Sequence, residues 1–266
     1  MKINKNAYDL NGKVAIITGA SGTIGCAIAK ELARDGAVAV LAGRNVKKME
    51  EIRREIEEAG YKADVIEADV ADRVSAKYLA DETVRRYGHI DILCNNAGMN
   101  GGKKERVRFW EFDEDFFEQV IAVDLVSVFH LSKYVGQYMV KQQKGVIINT
   151  ASVTGMSALR NQIAYCTAKA GVIHMTKAMA IEGARDGIRV NALCPGSVLN
   201  ENLKEVFFSD PVTAEAQLDN IPMHRTGEPE EQAAMVAFLA SDDASYITGH
   251  VFPVDGGWIA GAARKF

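Results

Sequence analysis

Short apolar segments alternate with amphipathic segments along most of the chain. The first apolar run, VAIITG (14–19), ends in glycine and is followed by IGCAIAKELARDG (24–36), which has helical spacing. Further strands are predicted at 37–43, 63–70, 90–98, 145–152, 188–196 and 250–256, and further helices at 46–60, 73–88, 116–142, 164–187 and 229–243. This order predicts an α/β fold. We expect a single domain over residues 1–266, with a doubly wound parallel sheet and helices on both faces.

Two stretches interrupt the alternation, at about 99–112 and 197–226. Each follows the carboxyl end of a predicted strand. Ligands of open α/β sheets bind at that edge of the sheet. The two stretches are therefore predicted to form the walls of a substrate site.

Composition argues against several kinds of partner. The net charge of −4 offers no basic field for nucleic acid. No apolar run approaches the roughly 18 residues that a membrane helix needs. The first residues, MKINKNAYDLNGK, lack the apolar core of a signal peptide, and the four cysteines form no CxxC pair. We expect a cytoplasmic protein with free thiols, without a metal site and without a membrane or nucleic-acid partner.

The segment TGASGTIG (18–25) joins the first strand to the first helix. Its glycines allow the backbone to approach a pyrophosphate, and the helix N-terminus presents N–H groups to an anion. Many strand–helix turns need glycine without binding anything, but this position in the first βαβ unit favours a dinucleotide site. The predicted contacts in the turn are Gly19, Ser21, Thr23, Ile24 and Gly25.

Four more motifs follow in chain order: NNAG (95–98), YCTAK (165–169), PG (195–196) and TGHVFPVDGG (248–257). Together with the glycine-rich turn, they resemble the short-chain dehydrogenase/reductase family over about residues 10–258. The resemblance implies a Rossmann-type fold and a nicotinamide cofactor. Thr23 departs from the family's TGxxxGxG pattern, since it replaces the middle glycine; its hydroxyl is able to donate to a phosphate.

The end of the second strand, AVLAGRN (39–45), bears on the choice of cofactor. Members of the family that bind NAD carry an acid there, whereas this chain has Gly43 followed by Arg44 and Asn45. An arginine attracts a 2′-phosphate through charge-assisted hydrogen bonds. NADP(H) is therefore preferred, and NAD(H) is the alternative if Arg44 is an ordinary surface residue.

The resemblance implies further cofactor contacts. Asp69 and Val70 are expected beside the adenine, and Asn95, Ala97 and Gly98 beside the ribose. Alternatively, NNAG serves mainly to stabilise the central sheet. The other expected contacts are Val123, Pro195, Gly196, Val198 and Asn200, where family members commonly have threonine at the last position.

Tyr165 and Lys169 are four residues apart, so they share one helix face. A nearby ammonium favours the phenolate, so Lys169 is expected to lower the tyrosine pKa from about 10 towards the working pH of an acid–base catalyst. Lys169 and Tyr165 are also expected to contact the cofactor. Ser152 ends the fifth predicted strand and is able to donate to a substrate oxygen. Each residue alone has an ordinary structural explanation; together they favour hydride-transfer chemistry.

Asp124 lies in IAVDLVSVF (121–129), where the family usually carries a catalytic asparagine. Aspartate has the same shape but lacks the amide donor. It is predicted as a fourth catalytic residue that binds water, accepts from a backbone N–H or holds Lys169. A purely structural role is the alternative.

The first of the two interrupting stretches (about 99–112), called the first loop below, is rich in basic residues: Lys103, Lys104, Arg106 and Arg108. Glu105 is the single acid in it before the following WEF. The basic residues suit an anionic substrate, although a solvated loop is the alternative. A polar stretch before Tyr165 (160–162) suits a hydroxylated substrate, whereas Phe207, Phe208 and Met223 favour a more apolar one.

We therefore predict an oxidoreductase that transfers a hydride between NADP(H) and a ketone or secondary alcohol. The expected substrate is a polyol, sugar or sugar acid, as for a gluconate 5-dehydrogenase. A 3-oxoacyl reductase and a non-catalytic NADP(H)-binding regulatory module are alternatives. Helices 116–142 and 164–187 carry apolar residues on more than one face. By resemblance they indicate a homo-oligomer, a dimer or tetramer, unless those faces are buried within one domain.

Overall fold

A computed structural model describes residues 8–99, 104–199 and 209–261 of the protein. Within this part of the chain, seven parallel strands form one sheet in the order β3-β2-β1-β4-β5-β6-β7. The strands are β1 (Val14–Thr18), β2 (Val38–Gly43), β3 (Lys62–Glu67), β4 (Ile92–Asn95), β5 (Gly145–Thr150), β6 (Ile188–Pro195) and β7 (Val251–Val254). The order reverses direction between β1 and β4, which creates a crevice at the carboxyl ends of these strands.

Helices cover both faces of the sheet. They are α1 (Thr23–Arg34), α2 (Val46–Glu58), α3 (Arg73–Tyr87), α4 (Glu114–Ile121), α5 (Ser127–Gln142), α6 (Ile163–Gly183), α7 (Pro211–Leu218) and α8 (Pro229–Ala240). None of the helices in the described ranges is long and apolar enough to cross a membrane.

Two apolar clusters hold the helices to the sheet. Ile17 belongs to the cluster that includes residues of α1, α2 and α8, and Ile16 belongs to the cluster that includes residues of α3, α5 and α6. Successive strand residues point to opposite faces, so a strand buried on both sides reads as a continuous apolar run. All five residues of β1 are buried. The predicted doubly wound parallel sheet is confirmed.

The long helix predicted at 116–142 has an irregular centre. It begins at Glu114, and a π-helical turn at Ala122–Val126 separates α4 from α5. A π-helical turn contains one more residue than the α-helical path, and such turns are frequent at functional sites. This one carries Asp124.

The predicted loop 197–226 contains a helix, α7, among its described residues. The Asp210 side chain accepts from the N–H of Val212, and Pro211 occupies the first helical position. Both are common helix-start signals, and they give a helix within a stretch that was predicted as a loop. In the other predicted loop, residues Phe109–Glu111 form one 3₁₀ turn.

Candidate active site

A cleft of about 1410 Å³ opens at the carboxyl ends of the strands. Residues from the segments after β1, β2, β3, β4, β5 and β6 line it. It therefore coincides with the crevice that the strand order creates. All the predicted contacts in the glycine-rich turn lie on its wall: Gly19, Ser21, Thr23, Ile24 and Gly25.

The glycine-rich turn packs too closely for side chains. Gly19 has φ +63°, and a Cβ there would stand 2.9 Å from the Cα of Ala97. A Cβ on Gly25 would stand 2.3 Å from the carbonyl oxygen of Gly19. Gly22 is the N-cap of α1 and provides no side-chain cap, so the first N–H groups of the helix are open to an anion in the cleft. The turn thus fits a pyrophosphate.

The segments after β2 and β3 form one end of the cleft. Arg44 has an 80% exposed side chain and lies 3.9 Å from a carboxylate oxygen of Asp69. The side chain of Asn45 accepts from the N–H of Lys48 and caps α2. Val70 also lines this end. An exposed guanidinium beside Gly43 leaves room for a phosphate.

The NNAG segment divides between the sheet and the cleft. Asn95 is buried outside the cleft wall, where its amide donates to Ser132 Oγ and Asn149 Oδ1, both at 2.9 Å. This side chain therefore joins β4 to β5 and α5, which favours the alternative that this part of NNAG stabilises the central sheet. Ala97 and Gly98 line the cleft.

Asn96, which the sequence interpretation did not single out, lines the cleft too. Its amide donates to the carbonyl oxygen of Thr18 at 3.1 Å, and Thr18 Oγ1 accepts from the N–H of Asn96 at 2.9 Å. This pair of bonds ties the NNAG segment to the start of the glycine-rich turn.

Ser152, Tyr165 and Lys169 converge on the cleft. Ser152 follows β5, and hydrogen bonding by its hydroxyl acts to lower the pKa of the Tyr165 phenol. Lys169 is buried; its ammonium donates to the carbonyl oxygen of Thr150 at 3.2 Å and lies 5.5 Å from the centre of the Tyr165 ring. The three residues predicted from spacing thus form one cluster.

Asp124 lies behind this cluster and has no exposed surface. One carboxylate oxygen is 3.4 Å from Lys169 Nζ, and the other accepts from the N–H of Met99 at 2.6 Å. Burial raises the pKa of Asp124, although Lys169 opposes the rise. Two of the expected interactions, with Lys169 and with a backbone N–H, are present. Val123 lies on the cleft wall, whereas Asp124 does not.

The pKa of Tyr165 lies above its ordinary value, which differs from the sequence-based expectation. Burial of the phenol is the largest cause, the Lys169 ammonium opposes it, and the Asp124 carboxylate adds to the rise. Burial also opposes the charge on Lys169, but Asp124 and Tyr165 leave the lysine pKa raised. Spacing revealed the lysine but gave no measure of how deeply the phenol of Tyr165 is buried.

The last residue of β6 and the segment that follows it form the opposite end of the cleft. Pro195, Gly196 and Val198 all line the cleft. A Cβ on Gly196 would stand 2.7 Å from the Cα of Asp255, so the segment lies directly against the chain after β7. The predicted contact Asn200 lies outside the described residues.

Only part of the basic loop faces the cleft. Arg106 lines it, whereas Arg108 stacks on Trp110 at 5.4 Å and Lys104 lies 5.9 Å from the Phe116 ring centre. Lys103, Phe207 and Phe208 lie outside the described residues. Gln162 lines the cleft, as do Glu105 and Trp258, for which the sequence offered no signal.

A group of possible metal ligands lies outside the cleft wall. Ligand atoms of Glu215, Asp219 and His224 fall within 4.8 Å of one another. His224 is 3.4 Å from Glu215, an arrangement that an ordinary surface pair also explains.

Comparisons with known proteins agree with this geometry. A family model described as enoyl-(acyl carrier protein) reductase matches residues 19–259. A 3-oxoacyl-[acyl-carrier-protein] reductase of Thermotoga maritima is 38% identical over 253 residues, which cover 94% of this chain and 99% of that protein.

Two solved structures are similar over nearly their whole length. A gluconate 5-dehydrogenase from Burkholderia cenocepacia, in complex with NADP and tartrate, has a TM-score of 0.89 and 32% identity, covering 97% of this chain and 99% of that one. An NAD⁺-bound xylitol dehydrogenase has a TM-score of 0.87 and 35% identity, covering 93% and 99%. The chain belongs to the short-chain dehydrogenase/reductase family.

Proposed function

We propose that the protein transfers a hydride between NADP(H) and a ketone or secondary alcohol, with a polyol, sugar or sugar acid as substrate. The observation that carries this proposal is the convergence of Ser152, Tyr165 and Lys169 on the cleft that also contains the glycine-rich turn. A dinucleotide spanning the cleft would have one end at Arg44 and its reactive ring near Tyr165.

The residues then have distinct roles. Tyr165 donates its phenolic proton to the oxygen of a ketone, or accepts a proton from an alcohol through the phenolate. Ser152 donates to the same oxygen and stabilises charge on it. Lys169 opposes the effect of burial on the phenolate, and Asp124 holds Lys169 in place. A bound nicotinamide supplies or accepts the hydride.

The end of the cleft that contains Arg44 supports a preference for NADP(H). Arg44 is exposed at the cleft wall, and Gly43 provides no carboxylate to repel a 2′-phosphate. Asp69, 3.9 Å from Arg44, reduces but does not cancel this attraction, because both groups are substantially exposed. The structure of the gluconate 5-dehydrogenase with NADP supports this preference, and the NAD⁺-bound xylitol dehydrogenase keeps NAD(H) as the alternative.

The part of the cleft near Tyr165 supports a hydroxylated, anionic compound as the substrate. Arg106 places a cation on the cleft wall, and Gln162 adds an amide beside Tyr165. The similarity to gluconate 5-dehydrogenase and xylitol dehydrogenase points the same way. A 3-oxoacyl reductase is the second candidate, favoured by the 38% identity to the Thermotoga maritima enzyme. A non-catalytic module is disfavoured, because such a protein has no need for the three assembled side chains.

A substrate panel tests these proposals. We would follow the absorbance of the reduced cofactor with sugar acids, polyols and a 3-oxoacyl thioester, each with NADP(H) and NAD(H). We expect turnover with sugar acids or polyols and a preference for NADP(H). Turnover of the thioester alone would favour the second candidate, and tight cofactor binding with no turnover would favour the module.

Arg106→Gln sharpens the assignment of the substrate. It should raise KM for a sugar acid about tenfold, the loss expected for one charge-assisted hydrogen bond, and leave KM for a neutral polyol unchanged. Arg108→Gln is the matched control, because Arg108 stacks on Trp110 away from the cleft. An equal rise for both substrates would contradict a role in anion recognition.

We also propose a cytoplasmic homo-oligomer, a dimer or tetramer. Val126, Phe129 and Val140 are exposed around α5, and Ile181 is exposed on α6. Their burial against another copy would remove apolar surface from water. Light scattering of the purified protein measures the assembly, and a monomer at all concentrations would contradict it.

A further inference from the structure

Glu105 joins the first loop to the helix that carries the reaction centre. Its side chain is buried, with 4% of its surface exposed, and one carboxylate oxygen accepts from the backbone N–H of Tyr165 at 2.9 Å. The two residues are 60 positions apart. A buried acid in a loop is unusual, because burying a charge is costly unless hydrogen bonds compensate it.

The first turn of α6 needs an acceptor of this kind. The first N–H groups of a helix have no partner within the helix. The N-cap residue of α6, Gln162, makes no side-chain hydrogen bond to them. Glu105 supplies an acceptor from another segment, and its negative charge suits the positive end of the helix.

We propose that Glu105 is a positioning residue, which fixes the first turn of α6 and with it the orientation of Tyr165 towards Ser152 and the substrate. The inference rests on the proposed oxidoreductase function and adds to it a specific link between the substrate wall and the proton donor. Because Glu105 also lines the cleft, a movement of the first loop would be transmitted to the backbone of the catalytic tyrosine.

The carboxylate has an electrostatic effect on the same group. Three charged groups act on the Tyr165 phenol electrostatically: Lys169 from the same helix, Asp124 from the π-helical turn and Glu105 from the loop. Lys169 lowers the pKa of the tyrosine, and both carboxylates raise it. Removing the charge of Glu105 should therefore ease formation of the phenolate.

Three variants separate geometry from charge. Glu105→Ala removes the acceptor and the charge, whereas Glu105→Gln keeps an oxygen that is able to accept from the Tyr165 N–H. Glu111→Ala is the matched control, since Glu111 is an exposed acid of the same loop. Measurements are kcat, cofactor affinity, the pH profile of alcohol oxidation, and amide hydrogen exchange at Tyr165 in the cofactor-free protein.

In E105A, kcat should fall about 10- to 100-fold, because small displacements of a catalytic group cost up to about that factor. Exchange at Tyr165 should accelerate, and cofactor affinity should be unchanged. E105Q should keep the protection of the Tyr165 amide from exchange and most of kcat. In its pH profile, the rate of alcohol oxidation should begin to rise at a lower pH than in the wild type. E111A should match the wild type in every measurement.

Wild-type kcat or wild-type exchange at Tyr165 in E105A would overturn the inference, as would equal losses in E105A and E111A. An E105Q variant that loses as much kcat as E105A, with an unshifted pH profile, would also overturn it. If the wild type turns over no substrate, the proposed function fails, and the exchange of the Tyr165 amide decides the positioning role by itself.

Discussion

The glycine-rich turn and the reaction centre face the same cleft but are built differently. The turn is backbone against backbone: a Cβ on Gly25 would stand 2.3 Å from the carbonyl oxygen of Gly19. The reaction centre consists of side chains from separate segments, with Lys169, Asp124 and Glu105 arranged around Tyr165. The turn therefore depends on the absence of side chains, whereas the reaction centre depends on the balance of charge among several of them.

Tyr165→Phe should produce the largest effect and act on the reaction centre alone. Loss of the acid–base group should lower kcat about 10²- to 10⁴-fold. Cofactor affinity, measured by fluorescence titration, should remain near the wild-type value because the glycine-rich turn is unchanged. Tyr246→Phe, at a fully exposed tyrosine, is the control. A fully active Y165F variant would refute Tyr165 as the proton donor.

Gly25→Ala tests the opposite side of the comparison. The added Cβ would also stand 2.7 Å from the Asn96 amide nitrogen, so the turn must shift, at a typical cost of about 1–3 kcal/mol for overpacking. Cofactor Kd should rise at least about tenfold, while kcat at saturating cofactor changes less. Gly136→Ala is the control, since nothing lies within 4 Å of its added Cβ. Unchanged cofactor affinity in G25A would contradict the steric argument.

Arg44→Ala distinguishes the two cofactors at one end of the cleft. Loss of a charge-assisted contact to the 2′-phosphate should raise KM for NADPH about tenfold and leave KM for NADH unchanged. We expect no larger rise in KM because the Arg44 side chain is 80% exposed, so solvent weakens its interaction with a phosphate. Arg54→Ala, at an exposed arginine of α2, is the control. Equal losses for both cofactors would rule out recognition of the 2′-phosphate.

Asp124→Asn tests the balance of charge around Tyr165. The carboxylate raises the pKa of Tyr165, so its removal should lower that pKa. Alcohol oxidation needs the phenolate, and its rise with pH should therefore move to lower pH. The pH dependence of kcat/KM measures the shift. A profile that moves to higher pH would show that the Asp124–Lys169 pair favours the phenolate instead.

Glu231→Gln should have the smallest effect. It tests how firmly the second loop, the stretch at about 197–226, is anchored. Hydrogen bonding to Arg225 at the end of that loop is the main cause that lowers the pKa of Glu231 to about 2. Because the pKa is lowered on folding, the Glu231 carboxylate stabilises the fold at pH values above its usual pKa of 4.5. This stabilisation is lost as the pH falls through about 2.

Because the pair is largely exposed, Glu231→Gln should lower the free energy of unfolding by less than about 1 kcal/mol at neutral pH. Urea unfolding at several pH values measures this difference, which should vanish in strong acid. Glu230→Gln, at the neighbouring exposed position, is the control. A difference that grows in acid would contradict the assigned pKa shift.

The sequence was sufficient to predict the parallel sheet and to single out Ser152, Tyr165 and Lys169. The sheet follows from apolar periodicity, Tyr165 and Lys169 from their spacing within one helix, and Ser152 from its place at the end of the fifth strand together with the family resemblance. Asn95 could not be separated from Asn96 in advance, since adjacent residues of one motif face the sheet and the cleft respectively. Glu105 was equally inaccessible, because its bond to the Tyr165 N–H spans 60 residues and leaves no local pattern.

The π-helical turn at Ala122–Val126 lies between two packing surfaces. On one side of it α4 contacts α6, and on the other α5 packs against α3. One extra residue in a regular α-helix would rotate everything beyond it by about 100° about the helix axis, but the wider π-helical turn accommodates that residue locally. A single-residue deletion here should therefore restore a regular helix and leave α5 against its neighbour. The chain thus carries one additional residue beside Lys169 without a change in how α5 is packed.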